Sequence, residues 1–234
     1  MTEHPILFSG EMVQAIPEGR KVQTRRVMRP QPRDANQHYD LPKWEMWGGG
    51  YPDHGRLVKC PYGVPGDLLW VRETWATVNA YDDLKPSDIP KGDAGRWPRV
   101  WYRATDAHEQ EYHQAYFGKW RPSIFMPRWA SRITLEVVSV RVERVQSISE
   151  GDAEAAGVEP IMRDTGGFEP WGAPCPEVPC YGEAFATLWD SINAKRTITH
   201  EWEDDDGIIH RDKVPGGYSW QSNPWVWVVE FRQT

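Results

Sequence analysis

The chain of 234 residues contains few cysteines, and their spacing does not favour metal binding. Of the three, Cys175 and Cys180 are separated by four residues and have no nearby histidine, which is poor spacing for zinc ligands. A small, odd number of cysteines is typical of a protein from a reducing compartment. We therefore expect free thiols, no metal site and no cofactor.

Long apolar runs are missing as well. Residues 1–16 lack the basic start and apolar stretch of a signal peptide. The run "WVWVV" near the other end is too short to cross a membrane. The glycine-rich phosphate loop and the G-x-S-x-G motif are also absent from the sequence. We expect a cytoplasmic protein without a membrane partner.

Positive charge is scarce overall but is concentrated in one segment. The chain has 27 Lys and Arg against 34 Asp and Glu, a net charge of −7. This balance argues against a protein that coats nucleic acid non-specifically, because such binding depends on many phosphate contacts. Residues 18–29, "EGRKVQTRRVMR", nevertheless hold five basic residues, which permits one local basic groove. Fourteen tryptophans can serve a core or a stacking surface.

The apolar patterns predict an α+β fold. "SGEMVQAI" predicts a short helix that Pro17 ends, with a turn at Gly19, so that Lys21 lies just past the helix on an extended segment. The strand over 133–145 changes its alternation by one residue, which indicates a β-bulge and a curved sheet. Helices in "SISEGDAEAAGV", capped by Ser149, and in "EAFATLWDSIN" precede a last strand in "PWVWVVEF", an order that suits a small barrel with packed helices.

Four segments of the sequence resemble a known family. "AIPEGRKVQTRR" resembles the signature of the ASCH family, which is related to the RNA-binding PUA domain. "YGVPGDLLWVRETW", "MPRWASRITLEV" and "YSWQSNPWVWVVEF" resemble the longer ASCH-like proteins of bacteriophages and prophages. The resemblance covers most of a single domain over 1–234 and leaves insertions at 30–58, 78–99 and 159–180. It implies a PUA-like mixed β-barrel with a few packed helices, long loop insertions and a cleft beside "GRK".

The same resemblance implies a role with nucleic acid or nucleosides. We expect RNA, single-stranded nucleic acid or a modified nucleoside to bind in the cleft, where guanidinium groups can hold phosphate and Trp faces can stack a base. For several of the candidates, packing or an internal salt bridge is an equally good interpretation. The candidate ligand-binding residues are Arg20, Lys21, Arg25, Arg26, Trp70, Arg72, Glu73, Arg128, Trp129 and Arg132.

A catalytic role is the second hypothesis. A small bacterial member of the family that is similar at "GRK-x-x-T" hydrolyses N4-acetylcytidine with a Lys, a Thr and a Glu, and Lys21 and Thr24 match the first two by position. A lysine whose pKa is lowered by burial and by positive neighbours can deprotonate a Thr hydroxyl. Alignment of the apolar positions places Ala156 where the family has its Glu. Glu154, two residues earlier, is the remaining candidate for the third catalytic residue, but it lies about 200° away around the helix and should face the other side.

Three hypotheses therefore remain open. The first is a module that binds RNA, single-stranded nucleic acid or a modified nucleoside. The second is a hydrolase of the same fold, either an amidohydrolase or a ribonuclease. The third is a phage protein that binds a host protein through a Trp-rich surface, in the host cytoplasm.

Overall fold

The computed structural model describes residues 1–29, 31, 50–53, 56–91, 95–163, 178–203, 209–215 and 217–234. The strands, in chain order, are β1 (Glu3–Leu7), β2 (Gln23–Val27), β3 (Gly50–Asp53), β4 (Arg56–Lys59), β5 (Leu68–Arg72), β6 (Trp75–Ala76), β7 (Trp101–Tyr102), β8 (Thr134–Arg144), β9 (Ile161–Arg163), β10 (Val178–Cys180), β11 (Thr197–Glu203), β12 (Ile209–Pro215) and β13 (Trp225–Gln233). The helices are α1 (Gly10–Ala15), α2 (Arg103–Asp106), α3 (Glu109–Tyr112), α4 (Glu150–Ala155) and α5 (Tyr181–Asn193).

The main sheet has five strands in the order β1-β5-β8-β13-β2. Strand β1 runs parallel to β5, with Glu3 opposite Leu68, whereas β5 runs antiparallel to β8, with Leu68 opposite Glu136. The sheet is therefore mixed, and together with the helices it confirms the predicted α+β class. Its order has β1 and β2 at the two ends, and closure into a PUA-like barrel stays a prediction.

The chain forms two compact units. The first comprises residues 1–20, 59–139 and 230–234, and the second comprises 21–58 and 140–229. The candidate site around Lys21 belongs to the second unit, and the candidates from Trp70 to Arg132 belong to the first. The single domain with insertions stays a prediction.

The core of the first unit follows the alternation of its strands, because successive side chains of a strand point to opposite faces. In β8, Leu135 and Val137 are buried and Val138 is exposed, while Val140, where the strand enters the second unit, is buried. Burial therefore passes from odd to even positions as predicted, but Val138, which the new phase would also bury, is exposed, and the β-bulge stays a prediction. On strands β1 and β5 of the same unit, the buried side chains are Ile6, Leu69 and Val71.

The core of the second unit is built on α5 and β13. Phe185 and Trp189 are buried on α5 as predicted, but Ile192 is 51% exposed, so the apolar stripe of this helix is shorter than its sequence indicates. Residues 226–229 of β13 are all buried, so both faces of this strand are covered. The reason is that β13 lies between β8 and β2 in the sheet, and an interior strand can be covered on both faces.

The expected insertions contain short strands as well as loops. The insertion expected at 30–58 contains β3 and β4, and the insertion expected at 159–180 contains the antiparallel pair β9 and β10. Much of both insertions, with part of the insertion at 78–99, lies outside the described residues. Strand β1 was not predicted, because Pro5 weakens the strand pattern. Proline is tolerated there because β1 is at one end of the sheet order.

Candidate functional site

The backbone carries Lys21 onto an extended segment beside α4. Helix α1 ends at Ala15, and Gly19 forms the turn after it with a φ of 73°. The helix ends before Pro17, as predicted, although Ile16 keeps a helical conformation, and the Ile16 carbonyl accepts a hydrogen bond from the Gly19 amide at 3.0 Å. Lys21 then forms an isolated antiparallel bridge with Ala156.

The Lys21 amine is buried and hydrogen bonded. Its side chain belongs to a residue that is only 4% exposed, and Nζ donates to the carbonyl oxygens of Ala156 at 2.6 Å and Gln23 at 3.1 Å. Burial, together with the positive charges of Arg26 and Arg25, lowers the pKa of Lys21 to about 7. This amine is therefore partly neutral near pH 7, which an exposed lysine is not.

Thr24 is buried on β2, as are its neighbours Gln23 and Arg25. Because successive residues of a strand point to opposite faces, the side chains of Gln23 and Arg25 share one face and Thr24 points to the other. The hydrogen bond of 3.2 Å from Arg25 Nη1 to Gln23 Oε1 is consistent with that shared face.

Arg25 is the centre of a buried ion-pair network. Its fully buried guanidinium donates to Glu143 Oε1 at 2.7 and 2.9 Å and to Asp152 Oδ2 at 3.1 Å. Arg141 also contacts both carboxylates, and Gln23 donates to Asp152 Oδ1 at 2.8 Å. Two cations thus balance two anions, so Arg25 is held by the protein's own acids.

Asp152 is stabilised in its charged form by this network. Burial by itself would raise the pKa of Asp152, but the hydrogen bond from Gln23 and the charges of Arg25 and Arg141 hold it below its ordinary value. The network is not evident in the sequence, because Arg25 is 118 residues from Glu143 and 127 residues from Asp152. The one local signal was the position of Asp152 in the capping pattern of α4.

The remaining cations of the basic segment lie in different surroundings. Arg20 forms an exposed ion pair with Glu18, while Arg26 is half-buried and acts on Lys21 through its charge. Arg29 lies over the ring of Tyr218 at 5.2 Å. The segment is therefore not a row of solvent-facing cations.

Residue 156 lies beside Lys21, whereas Glu154 does not share its surroundings. Ala156 is buried and contributes its carbonyl to Nζ. Glu154 is exposed and interacts with the hydroxyl of Tyr181, whose pKa is raised by burial and then by the charge of Glu154. Glu154 thus faces away from the amine, the direction expected from its position on the helix.

The first unit brings Glu73 and Arg132 together. Glu73 is 2% exposed and accepts two hydrogen bonds from Arg132, at 2.9 and 3.0 Å. Burial raises the pKa of Glu73, although Arg132 acts in the opposite direction. The same guanidinium lies 4.1 Å from the centre of the Tyr102 ring, and burial raises the pKa of Tyr102 to about 12. Arg132 is thus engaged with groups of its own unit.

The other candidates of this unit are also held by internal partners. Arg128 forms an exposed bidentate ion pair with Glu3, at 2.8 and 2.9 Å. Arg72 lies 5.3 Å from the Trp70 ring and donates to the Met126 carbonyl at 3.1 Å. The candidates Arg128 and Arg132, four residues apart in the sequence, therefore have separate partners.

Trp129 packs in an aromatic series that the sequence analysis recognised only in part. It meets the buried Trp75 edge to face at 5.8 Å and stacks on Trp97 at 4.5 Å with an interplanar angle of 9°. Trp97 was not among the predicted site residues. The signal available for it was the interleaving of basic and aromatic residues in "RWPRVWYR".

The described cysteines are free thiols, as predicted for Cys180, and Cys175 lies outside the described residues. Cys60 is buried, and burial raises the pKa of its thiol to about 12. Within the described ranges, no cluster of three or more His, Cys, Asp or Glu side chains is arranged to hold a metal ion. In the same part of the chain, no helix has the length and apolar character needed to cross a membrane.

Comparison of the chain with family models, with curated proteins and with solved structures finds no match.

Proposed function

We propose that this chain is a PUA-like protein of the ASCH type that binds a modified nucleoside, free or within RNA or single-stranded DNA, beside Lys21. The observation that carries the proposal is the buried Lys21 amine, whose pKa of about 7 is set by burial and by two adjacent guanidinium groups. Strongly perturbed pKa values are concentrated at functional sites. A lysine amine is costly to bury, which favours a functional reason for the position of Lys21.

The chemistry of this amine suits a base edge. A protonated lysine only donates hydrogen bonds, whereas a neutral amine can also accept one. With a pKa of about 7, Lys21 can adjust to a donor or an acceptor on the base without a large free-energy cost. Recognition of a base edge by hydrogen bonds is the usual way in which proteins read an unstacked base.

The state of the arginines favours a nucleoside over a long polynucleotide. Arg20, Arg25, Arg128 and Arg132 are each paired with a carboxylate of the protein. Binding of a polynucleotide backbone depends on cations that are available to replace counterions at many phosphates. The net charge of −7 opposes such binding further. We therefore expect most of the affinity to come from one base and its sugar.

A direct binding experiment tests the proposal. We would titrate the full chain with N4-acetylcytidine, with cytidine and with a short single-stranded RNA, by calorimetry at low and moderate salt. We expect the modified nucleoside to bind with little dependence on salt and Lys21→Met to weaken it about tenfold or more. Lys195→Met is the matched control, because Lys195 is an exposed lysine of the same unit.

Two outcomes would remove this proposal. One is the absence of binding to any of the three ligands at low salt. The other is binding that Lys21→Met leaves unchanged. RNA binding that is strong and steeply salt-dependent, with no binding of the nucleoside, would show that the backbone rather than the base is recognised.

A second candidate function, hydrolysis of an acylated nucleoside, is favoured by the same lowered pKa. A base is most effective when its pKa is near the working pH. Lys21 would accept the Thr24 proton, and the Thr24 oxygen would attack the acetyl carbonyl. The cytidine N4 would leave with that proton, and water would release acetate from Thr24. Release of acetate from N4-acetylcytidine that is lost in Lys21→Met and in Thr24→Val would favour this function. Binding without any acetate release would reject it.

A further inference from the structure

Trp97 combines exposure with a fixed orientation. The residue is 41% exposed although tryptophan is a large apolar side chain. One of its faces stacks on Trp129 at 4.5 Å, with the two rings within 9° of parallel. An exposed ring that stacks in this way presents a flat aromatic surface in a defined direction.

Trp129 holds this surface in place. Its ring meets Trp75 edge to face at 5.8 Å, and Trp75 is fully buried. Trp129 also packs against the core cluster that contains Ile89 and Met126. Since a rigid aromatic surface loses little conformational entropy when a ligand stacks on it, this packing favours binding.

A cation covers the outer face of Trp97. Lys91 Nζ lies over the ring, 5.1 Å from its centre. Two rings stacked at 4.5 Å leave no room for an ammonium group between them, so Lys91 must lie on the face opposite Trp129. Arg96, next to Trp97 in the chain, is exposed as well. The outer face is therefore aromatic and bordered by positive charge.

We propose that the outer face of Trp97, with Lys91 at its border, binds a nucleobase that carries a phosphate group. A base would stack on the indole in place of the lysine methylene chain, and the displaced ammonium group would pair with the phosphate. Every base has a π face, so the stacking does not depend on the sequence of the nucleic acid. The positive border selects an anionic ligand over a neutral aromatic one. The source is either a free mononucleotide or one base of a single strand.

This inference is independent of the function proposed for Lys21. It rests on different residues, all of which belong to the first unit, whereas Lys21 belongs to the second. Each proposal is tested by a different variant, Lys21→Met for the first and Trp97→Ala for this one. Lys21→Met should not affect binding at Trp97.

The test is a titration of the full chain with adenosine monophosphate, adenosine and a short fluorescent oligodeoxyadenylate at low salt. We expect Trp97→Ala to weaken the binding of both phosphate-bearing ligands about 5-fold to 150-fold, as expected from the loss of one stacked base. Lys91→Ala should weaken those two ligands but leave adenosine unchanged or bound more tightly. Tyr112→Ala is the control, because Tyr112 is a 78% exposed aromatic residue of the same unit.

Each result has a definite meaning. A preference for the oligonucleotide identifies single strands as the source of the base, and equal binding per site identifies free mononucleotides. Trp97→Phe keeps a flat ring and should retain part of the affinity, which separates stacking from a loss of folding. The proposal is overturned if the wild-type chain binds neither phosphate-bearing ligand, or if folded Trp97→Ala binds both as tightly as the wild type.

Discussion

Lys21 and Ala156 lie opposite each other in an isolated antiparallel bridge, and the Lys21 amine donates to the Ala156 carbonyl at 2.6 Å. The bridge joins the segment before β2 to the end of α4. A buried amine is thus satisfied by backbone carbonyls, which accept hydrogen bonds without carrying the charge that would raise its pKa. This relationship explains how the protein can bury Lys21 and still keep its pKa near 7.

The first prediction concerns the pH dependence of stability. The folded chain has a Lys21 pKa of about 7 against the ordinary value of 10.5, so between these values the unfolded chain binds one more proton. The free-energy cost of burying the Lys21 amine is therefore greatest below pH 7. It disappears above pH 10.5, where the amine is neutral in both the folded and the unfolded chain. After allowance for two lost hydrogen bonds, we expect Lys21→Met to be more stable than the wild type by roughly 2–4 kcal/mol at pH 6.

Urea unfolding of both chains between pH 6 and pH 10 measures this difference. The difference in unfolding free energy between the two chains should shrink as the pH rises, because the wild type then buries a neutral amine rather than a charged one. NMR titration of the lysine side chains should show one amine that changes its protonation near pH 7. A difference that is constant over this range, with no such lysine, would contradict the prediction.

The second prediction concerns the network around Arg25. Because this guanidinium is fully buried, Arg25→Met leaves Glu143 and Asp152 with one cation and should cost roughly 2–4 kcal/mol of unfolding free energy. Arg141→Met is the control. The Arg141 side chain is 34% exposed, so its loss should cost less than about 1 kcal/mol. Urea unfolding measures the loss of unfolding free energy in each variant. Equal losses would show that burial does not set the strength of the ion pairs that Arg25 and Arg141 form.

The third prediction concerns two glycines with different surroundings. A Cβ at Gly118 would meet the Thr77 carbonyl oxygen and would lie 2.6 Å from Asp82 Oδ1, whereas a Cβ at Gly151 would meet open space. Gly118→Ala should destabilise the protein by about 1–3 kcal/mol or more. Gly151→Ala lies in α4 and should stabilise it by about 0.5–1 kcal/mol. Thermal unfolding of the two variants gives the comparison, and a stable Gly118→Ala chain would show that this contact is easily relieved.

The fourth prediction concerns two serines that precede helices. Ser149 Oγ accepts the Asp152 amide at 3.1 Å and caps α4, whereas Ser9 stands at the same position of α1 without a side-chain hydrogen bond. Ser149→Ala should therefore cost about 1 kcal/mol, and Ser9→Ala should be nearly neutral. If calorimetric unfolding gives similar losses for both, the side-chain cap is not the source of the difference.

Where the signals are local, the sequence predicts the structure well. The helix capped by Ser149, the turn at Gly19 and the change of phase in β8 all depend on residues that are close in the chain. Strand β1 and the pair β3 and β4 were missed because their residues become strands through their pairing partners. The α+β class follows from the patterns, while the barrel, which both the patterns and the resemblance suggest, stays a prediction.

The candidate site likewise has features that local sequence signals predict and features that only distant contacts decide. The sequence identified Lys21 and predicted that positive neighbours and burial could lower its pKa. It also predicted Ala156 and Glu154 in their relative positions on α4. It could not show that Arg25 is paired with Glu143 and Asp152, because these acids come from β8 and α4. Arg128, Trp129 and Arg132 are close in the sequence, but the structure gives each a different partner.

The sequence by itself determined the composition of this protein, its helix caps and turns, and the presence of a concentrated basic segment just after the first helix. Only the tertiary structure decided which of those basic groups are neutralised by acids and which one is buried with a lowered pKa. The physical reason is that caps and turns form between residues a few positions apart. The ionisation of a side chain depends instead on burial and on charges that distant parts of the chain supply.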